Sequence, residues 1–413
     1  MKVKIAVLGA GISGLGSAYL LSQKHEVDLY EKECRLGGHA RTTIVEEADK
    51  KFGVDTGFLV FNHPTYPLLT KLFEKLQVQI EKSDMSFGFW DEETNTAYNG
   101  QSLKGLFFQK KNLLSLSHYR MILDIMRFNK KANRDIDNNS SALDVSLGEY
   151  LEGYSEVFKE RYLIPMGAAI WSTPSSKMND FPARTFVQFF KNHGLLGVKT
   201  QHQWLTVSGG SIHYVEKIKQ HISGEIFLES KVTRIIRDAD KVALIDAEGR
   251  ETYYDKVVLA MHAPDALKML EDPTPEESEI LSAFQYKEND AVLHNDTSAL
   301  FPDRQIYSAW NYKTGGKKDA VTLSYWINRL QNLKTEKEYF VSLNETKALG
   351  KVIETISYAH PQFDSDAIAM QSRRDEISGK NNTYYAGAYW RYGFHEDGLW
   401  SANSIAQSFG CAL

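Results

Sequence analysis

The start of the chain changes from one apolar pattern to another within twenty residues. Residues 3–9 have the character of a buried strand, and the spacing of Ile12, Leu15, Tyr19 and Leu20 then follows the period of a helix. A second short strand is predicted at 26–30. Strand, turn, helix and strand in this order predict a βαβ unit.

From about residue 80 to 205 the pattern is mostly helical and rich in aromatic residues. Helices are predicted at 119–133, 146–153 and 158–163. The segment 118–134 is apolar on one side and basic on the other. A helix whose apolar side faces the core is the favoured interpretation, and a helix lying on a membrane surface is the alternative.

The second half of the chain returns to strands. Alternating residues over 230–255 predict a three-stranded meander, and the apolar run 257–261 predicts a strand buried on both faces. Aromatic strands and one helix near 345–359 are predicted over 265–375. The segment 383–410 predicts a closing strand, turn and helix.

The turn after the first strand has the spacing GxGxxG. Gly9 permits the tight turn, Gly11 lets the backbone approach a pyrophosphate, and Gly14 lets the helix pack closely on the sheet. The helix N-terminus at Ser13 offers N–H groups and a positive dipole end to phosphates. Glu31 ends the second strand, where a carboxylate accepts hydrogen bonds from a ribose. These residues predict a dinucleotide site.

A second glycine pair distinguishes between dinucleotides. Residues 31–42 resemble the ExxxRxGG extension of flavoproteins in the amine oxidase and phytoene desaturase superfamily. Gly37 and Gly38 give a second close approach of the backbone to the pyrophosphate, and Arg35 can neutralise phosphate or clamp the loop. The resemblance favours FAD over NAD, and a nicotinamide-using oxidoreductase is the alternative.

The resemblance extends over nearly the whole chain, to a bacterial branch of this superfamily described as NAD/FAD-binding proteins. It implies a D-x-G stretch beside the flavin ring, a backbone contact to the adenine and a closing flavin motif. A plain strand with an interior glycine and a core valine are the alternatives for the first two. The cofactor-binding residues implied in this way are His39, Ala40, Thr56, Gly57, Phe58, Val232, Gly387, Glu396, Asp397 and Gly398.

The predicted fold class is α/β. It combines a Rossmann-like FAD-binding domain of the glutathione reductase type, including the meander, with an inserted α+β substrate domain. The FAD-binding domain is predicted at 1–80, 205–265 and 375–413, and the substrate domain at 81–204 and 266–374. A chain of 413 residues is long enough for both.

Composition indicates which kinds of partner and which cellular compartment are expected. The formal net charge of −5 argues against nucleic acid as a partner. The two cysteines, Cys34 and Cys411, form neither a disulfide framework nor a metal motif, so no metal site is predicted. No apolar run is long enough to span a membrane. A cytoplasmic protein is therefore expected.

The resemblance implies an FAD-dependent oxidoreductase, amine oxidase-like, in which a substrate C–H bond gives a hydride to non-covalently bound FAD. No cysteine precedes the closing motif, where some relatives attach flavin covalently. The strand comparable to the one that carries a lysine in many amine oxidases offers His294, and His395 lies in the closing motif. Both are candidate catalytic residues, with structural histidines as the alternative.

The expected substrate is a small apolar or amphipathic molecule, either an amine or a lipid. Aromatic residues suit the lining of a long apolar channel, and packing in the core is the alternative. These residues are Trp171, Trp310, Tyr312, Tyr325, Trp326, Tyr389 and Trp390. Two other functions stay open: a lipid-modifying flavoenzyme of the desaturase or isomerase type, and a flavin-binding protein without turnover. The electron acceptor and the oligomeric state also stay open.

Overall fold

The computed structural model describes residues 2–47, 49–197, 200–314, 322–345 and 347–413. Its strands, in chain order, are β1 (Lys4–Leu8), β2 (Glu26–Tyr30), β3 (Thr42–Glu47), β4 (Lys50–Asp55), β5 (Ile80–Lys82), β6 (Phe87–Asp91), β7 (Thr96–Asn99), β8 (Leu205–Val207), β9 (Ile226–Phe227), β10 (Val232–Arg237), β11 (Val242–Asp246), β12 (Glu251–Tyr254), β13 (Lys256–Leu259), β14 (Tyr286–His294), β15 (Trp310–Thr314), β16 (Thr322–Trp326), β17 (Phe340–Leu343), β18 (Val352–Pro361) and β19 (Thr383–Tyr385).

The α-helices, in chain order, are α1 (Ile12–Leu21), α2 (Pro67–Lys75), α3 (Leu103–Leu106), α4 (Lys110–Leu113), α5 (Leu116–Asp137), α6 (Leu147–Tyr150), α7 (Glu156–Phe158), α8 (Ile164–Trp171), α9 (Ala183–Asn192), α10 (Ile212–Lys219), α11 (Ala263–Met269), α12 (Pro275–Ser282), α13 (Ile327–Leu330), α14 (Ser365–Gln371), α15 (Arg374–Ile377) and α16 (His395–Ser408). A π-helical turn, Lys159–Leu163, joins α7 to α8. No helix among the described residues combines the length and the apolarity needed to cross a bilayer.

A five-stranded parallel sheet has the order β19-β13-β1-β2-β9. β1 lies at its centre, and Ile5 and Val7 are completely buried. Helix α1 begins directly after the carboxyl end of β1 and packs against α16, where a Cβ on Gly16 would lie 2.7 Å from the Leu399 side chain. This sheet confirms the α/β class and the βαβ unit predicted at the start of the chain.

The strands β10, β11 and β12 form a three-stranded antiparallel sheet, which confirms the predicted meander. Tyr254 at the end of β12 donates a hydrogen bond of 2.8 Å to Asp28 on β2, so the meander is joined to the parallel sheet. The predicted buried strand after the meander is β13, whose Val257, Val258 and Leu259 are completely buried.

A seven-stranded mixed sheet has the order β18-β14-β17-β16-β15-β6-β7. The sequence analysis predicted a helix near 345–359, and this is wrong where the structure describes the chain, since β18 pairs antiparallel with β14 from Tyr286↔Pro361 onward. Thr346, within that predicted helix, lies outside the described residues. Strands β6 and β7 were not predicted either, because the surrounding sequence is mainly helical.

The helical region α5–α9 forms a second core of aromatic and aliphatic side chains. Helix α5 confirms the helix predicted at 119–133 and is 22 residues long. Met121 and Phe128 on α5 are completely buried, whereas Leu123 and Met126 are exposed. The interpretation of one core-facing apolar side is therefore incomplete, because α5 has a buried apolar face and an exposed one.

Candidate functional site

A large cavity lies between the parallel sheet and the seven-stranded sheet. Its volume is about 1660 Å³, and its lining runs from the carboxyl ends of β1 and β2 to side chains of α8, α9, β15 and β18. Sites for one small ligand usually occupy about 300–1,000 Å³. The cavity therefore has room for a dinucleotide together with a second molecule.

The glycine turn forms one end of this cavity. Gly9 has a φ of +97°, and a Cβ on Gly14 would lie 1.8 Å from the Gly9 carbonyl oxygen, so both positions require glycine. A Cβ on Gly11, in contrast, would meet no heavy atom within 4 Å. Gly11 thus leaves empty space beside the N-terminus of α1, where a phosphate group would meet free N–H groups.

Glu31 stands beside the glycine turn at the end of β2. Its carboxylate accepts hydrogen bonds from the N–H groups of Ala10, at 2.8 Å, and Glu33, at 2.9 Å. Each carboxylate oxygen retains a second acceptor position. Glu31 therefore holds the glycine turn in place and can still accept a hydrogen bond from a ribose hydroxyl.

The loop that carries Arg35 and Gly38 packs against the glycine turn. A Cβ on Gly38 would lie 2.9 Å from the Cα of Gly11, and Gly37 donates a hydrogen bond of 2.8 Å to the Ala10 carbonyl. The Arg35 guanidinium donates to the Gly38 carbonyl at 3.0 Å, but its buried Nε–H has no partner among the described residues. A buried donor without a partner is costly, and an anionic phosphate beside it would satisfy it. The turn and the loop together fit the pyrophosphate of a dinucleotide.

The central part of the cavity is lined by His39, Gly57, Phe58 and His395. Phe58 donates a backbone hydrogen bond of 2.8 Å to the His39 carbonyl, and the rings of Phe58 and His395 stack at 3.8 Å. His395 also forms a hydrogen bond of 3.1 Å with the Tyr214 hydroxyl. Burial lowers the pKa of His395 to about 3, so this imidazole is neutral at physiological pH.

The acidic residues of the closing motif do not line the cavity. Glu396 accepts hydrogen bonds of 2.9 Å from the N–H groups of Leu68 and Leu69, so it caps the N-terminus of α2. Asp397 accepts one of 2.9 Å from the Phe394 N–H, at the start of α16. Burial raises the pKa of Asp397 to about 7. These carboxylates stabilise helix ends and lie outside the cavity lining, and the contact of the closing motif with the cofactor stays a prediction.

Gly398 lies where α16 packs against α1. A Cβ on this glycine would lie 2.7 Å from the Ser13 hydroxyl, so Gly398 allows α16 to approach α1. The predicted residues that line the cavity are Gly9, Gly11, Ser13, Glu31, Arg35, Gly38, His39, Gly57, Phe58, Val232, Gly387 and His395. The predicted residues that lie behind this lining are Gly14, Gly37, Ala40, Thr56, Glu396, Asp397 and Gly398.

His294 lies outside the cavity and corrects a predicted catalytic residue. It is completely buried at the end of β14, where its Nε2 is 2.8 Å from the Ser342 hydroxyl and its Nδ1 accepts a 3.1 Å hydrogen bond from the Asp296 N–H. Burial lowers the pKa of His294. With both nitrogens engaged inside the sheet, His294 is a structural residue.

Sequence analysis missed the histidines that the seven-stranded sheet and α9 bring to the cavity. His360 on β18 lines the cavity, and burial lowers its pKa to about 4. His193, directly after α9, also lines it, and its Nδ1 lies 2.9 Å from the Phe189 carbonyl oxygen. Because a carbonyl only accepts, Nδ1 carries the proton and Nε2 is left as the acceptor. Burial lowers the pKa of His193 to about 4.

The end of the cavity opposite the glycine turn is an aromatic chamber. It is lined by side chains from α8, α9 and the seven-stranded sheet, among them Trp171, Phe189, Trp310 and Tyr325. Trp310 and Tyr325 contact each other edge to face at 4.9 Å. Of the aromatic residues predicted for an apolar channel, Trp171, Trp310, Tyr325 and Tyr389 line the cavity. Tyr312, Trp326 and Trp390 lie outside the cavity lining.

Comparison with known proteins identifies a matching family and solved structures with a similar fold. The model of the family described as flavin containing amine oxidoreductase matches residues 12–292. The fold is similar to that of a fatty acid isomerase from P. acnes, with a TM-score of 0.71 and 14% identity over 98% of this chain and 99% of that one. It is also similar to cyclohexylamine oxidase from Brevibacterium oxydans IH-35A, with a TM-score of 0.68 and 17% identity over 99% of this chain and 100% of that one.

A shorter match is found with zeta-carotene desaturase from Zea mays. The two sequences are 36% identical over 76 residues, which is 18% of this chain and 13% of the desaturase. The chain therefore matches only a small part of this relative's length. The solved structures, in contrast, match along nearly the full chain and support the fold class predicted from the sequence.

Proposed function

Because the chain belongs to the family of flavin-containing amine oxidoreductases, with its residues 12–292 matching the family model, we propose that it oxidises a small apolar or amphipathic molecule with FAD. Family membership agrees with the flavin cofactor expected from the glycine motifs. One observation carries the proposal: the glycine turn 9–14 with the loop 35–38, which we call the phosphate cradle, and the aromatic chamber belong to the same cavity. A molecule in the chamber therefore lies beside a cofactor held at the cradle.

Three parts of the cavity lining would hold FAD. Glu31 would accept from the ribose, and the N-terminus of α1 together with Arg35 would hold the pyrophosphate. Gly57 and Phe58 would lie along the flavin ring. When bound, FAD would supply the acceptor for the hydride, which carries the two electrons that leave the substrate.

The chamber contributes an apolar surface and a proton acceptor. Its large aromatic side chains would pack against the apolar part of the substrate. His193 and His360 remain neutral at physiological pH because burial lowers the pKa of each to about 4. The unprotonated Nε2 of His193 is the atom that accepts a proton from a substrate N–H or C–H group as the adjacent C–H bond gives up its hydride.

The substrate class has two candidates. A small amine is favoured by the family and by the similarity to cyclohexylamine oxidase. A fatty-acyl or other lipid substrate, as in a desaturase or isomerase, is favoured by the aromatic chamber and by the similarity to a fatty acid isomerase. The division into an FAD-binding and a substrate domain, at the boundaries given above, is part of this proposal.

The test is anaerobic bleaching of the flavin in the purified protein. The panel consists of short primary amines, unsaturated fatty acids and polyenes. Bleaching by amines alone supports the amine candidate, and bleaching by lipids alone supports the other. Purified protein that lacks flavin absorbance and does not take up added FAD would overturn the proposal. Flavin that photoreduces but accepts electrons from no compound in the panel would indicate a flavin-binding protein without turnover.

A further inference from the structure

Helix α5 presents large apolar side chains to solvent. Leu116 is 87% exposed, and Leu123 and Met126 are each 62% exposed. At about 100° per residue, these three positions lie within one outward-facing stripe of the helix. Single exposed apolar residues are common on proteins, but a contiguous group marks an interaction surface.

The exposed stripe continues onto the segment before α5. Leu103 is 75% exposed, Leu113 is 49% exposed and Leu114 is 89% exposed. The Tyr119 hydroxyl on α5 donates a hydrogen bond of 3.1 Å to the Leu113 carbonyl, and the ring of Phe107, directly after α3, contacts the Tyr119 ring at 5.4 Å, so these parts are joined. We call this surface the apolar platform; it consists of Leu103, Leu113, Leu114, Leu116, Leu123 and Met126.

Basic residues surround the apolar platform. Residues 102–131 contain seven Lys or Arg and one acidic residue, a net charge of +6, in a chain whose net charge is −5. The acidic residue, Asp124, is buried and lies 3.3 Å from Arg120 and 3.8 Å from Arg127. Lys110 and Lys130 are exposed, with no carboxylate within 4.0 Å among the described residues. The positive charge at the platform is therefore largely uncompensated.

We propose that the apolar platform docks onto the surface of an anionic lipid bilayer. Leucine and methionine side chains enter the boundary between headgroups and acyl chains, and the surrounding lysines meet the lipid phosphates. Lysine is depleted from the interfaces between proteins, so its density here favours a bilayer over a protein partner. The helices lie along the surface and do not span it.

The apolar platform adjoins an opening of the cavity. Gly100 and Gln101 are exposed and also line the cavity, and so does Leu106 at the end of α3, the helix that begins at Leu103. Docking therefore places this opening at the bilayer surface. That an apolar substrate enters here from the lipid rests on the proposed function, whereas the docking itself does not.

The test is co-sedimentation of the flavin-loaded protein with vesicles. The vesicles consist of phosphatidylcholine, either alone or mixed with phosphatidylglycerol. We expect binding to the mixed vesicles to be at least tenfold stronger than to phosphatidylcholine alone, and to weaken as salt rises. The triple variant Leu116→Gln/Leu123→Gln/Met126→Gln is expected to lose at least tenfold in binding to the mixed vesicles.

A matched control replaces apolar residues of similar exposure elsewhere. The variant Ile44→Gln/Tyr253→Gln, at positions 61% and 54% exposed, is expected to bind vesicles like the wild type. A second arm, Lys104→Gln/Lys110→Gln/Lys130→Gln, removes charge without removing apolar area. Its affinity for the anionic vesicles is expected to fall roughly fivefold for each lysine replaced. Its weak binding to phosphatidylcholine alone is expected to equal that of the wild type.

Two results would overturn the proposal. The first is a wild-type protein that binds neither kind of vesicle, or a platform variant that binds as the wild type does. The second is a platform variant that converts a dimer to a monomer while vesicle binding stays the same, which would make the platform an interface between two copies. Flavin absorbance and melting temperature confirm that each variant is folded. Since substrate turnover is not measured, failure here leaves the oxidase proposal untouched.

Discussion

The two ends of the cavity are built from different parts of the chain. At the cradle, Gly9, Gly11 and Gly38 bring the backbone itself to the cavity surface. At the chamber, large side chains from α8, α9 and the seven-stranded sheet form the lining. Around Gly9 and Gly38 the backbone is fixed by contacts too close for a Cβ, and at Gly11 a Cβ would occupy the space of a phosphate group, whereas a surface of side chains can repack. The cradle should therefore be sensitive to a single methyl group, and the chamber should be tolerant.

The largest expected effect is that of Gly14→Ala. The new Cβ would lie 1.8 Å from the Gly9 carbonyl oxygen, so the turn and α1 must move apart. We expect a loss of about 3 kcal/mol or more in the free energy of unfolding, measured by denaturant titration. Gly11→Ala is the matched control, because its Cβ meets no heavy atom within 4 Å. It should keep the stability of the flavin-free protein and lose FAD affinity; equal stability of the two variants would contradict the cradle geometry.

The next effect is that of Glu31→Gln on cofactor binding. The amide retains one acceptor oxygen where the carboxylate has two, and it loses the charge that strengthens each hydrogen bond. A loss of roughly 1.5–3 kcal/mol predicts at least a tenfold rise in the Kd for FAD. The measurement is a fluorescence titration of the flavin-free protein. Glu46→Gln, at an exposed position on β3, serves as the control; equal affinity in both variants would mean that Glu31 does not contact the cofactor.

His193→Gln tests the chamber through pH. Burial lowers the pKa of His193 to about 4, below the usual value of about 6.5, so the unfolded state binds a proton there that the folded state does not. The stability that depends on neutral His193 is complete above about pH 6.5 and is lost as pH falls toward 4. Between pH 7 and 5 the wild type should lose about 2 kcal/mol more than the variant. If the two lose the same amount, His193 is not held neutral.

His193→Gln should also separate binding from turnover. Because Nε2 of His193 is the proposed proton acceptor, kcat should fall by about 10²-fold with a small change in KM. His360→Gln, another neutral histidine of the cavity, is the matched comparison and should reduce kcat less. A larger fall in kcat for His360→Gln would indicate that His360 on β18, and not His193, is the proton acceptor.

The smallest expected effect is that of Trp310→Phe in the chamber. A smaller aromatic ring keeps most of the apolar lining, and neighbouring side chains such as Tyr325 can adjust. We expect less than about 1.5 kcal/mol of lost stability and an unchanged Kd for FAD, with KM for the substrate altered. A loss of FAD binding at this position would contradict the separation of the cavity into two ends.

The cradle could be predicted from the sequence because its residues are neighbours along the chain. Gly9 to Gly14 and Arg35 to Gly38 act through their own backbone, so spacing alone places them. The closing motif was harder to interpret. Its segment reaches the cavity at Gly387 and His395, but Glu396 and Asp397 point to helix ends. The packing of α1 and α2 determines which side of the start of α16 faces the cavity. The local sequence gives no information about this packing.

The chamber could not be predicted because its residues meet through distant pairing. β18 pairs with β14 along its length. Only Ile356 and Tyr358 on it are buried. With so few buried positions, the apolar residues of this segment fit a helical or an extended pattern equally well. His360 lies directly after the helix predicted there, and its place at the cavity follows from the pairing of β18 with β14. In the same way, His294 was placed on the correct strand, but the side of the sheet on which it lies follows from pairing with β17.

The strand order of the parallel sheet also governs when it can form on the ribosome. β1 lies between β2 and β13, and Ile5 pairs with Lys256, about 250 residues later in the chain. β19, which closes the far edge, pairs with β13 through Thr383 and Val257. At about 5–20 residues per second, one edge of β1 waits for tens of seconds before its partner is synthesised. Until then this edge of β1 has no strand partner, and the turn at Gly9 lacks the Ala260 backbone that packs against it directly after β13, so the FAD cradle is complete only after β13 has joined the sheet.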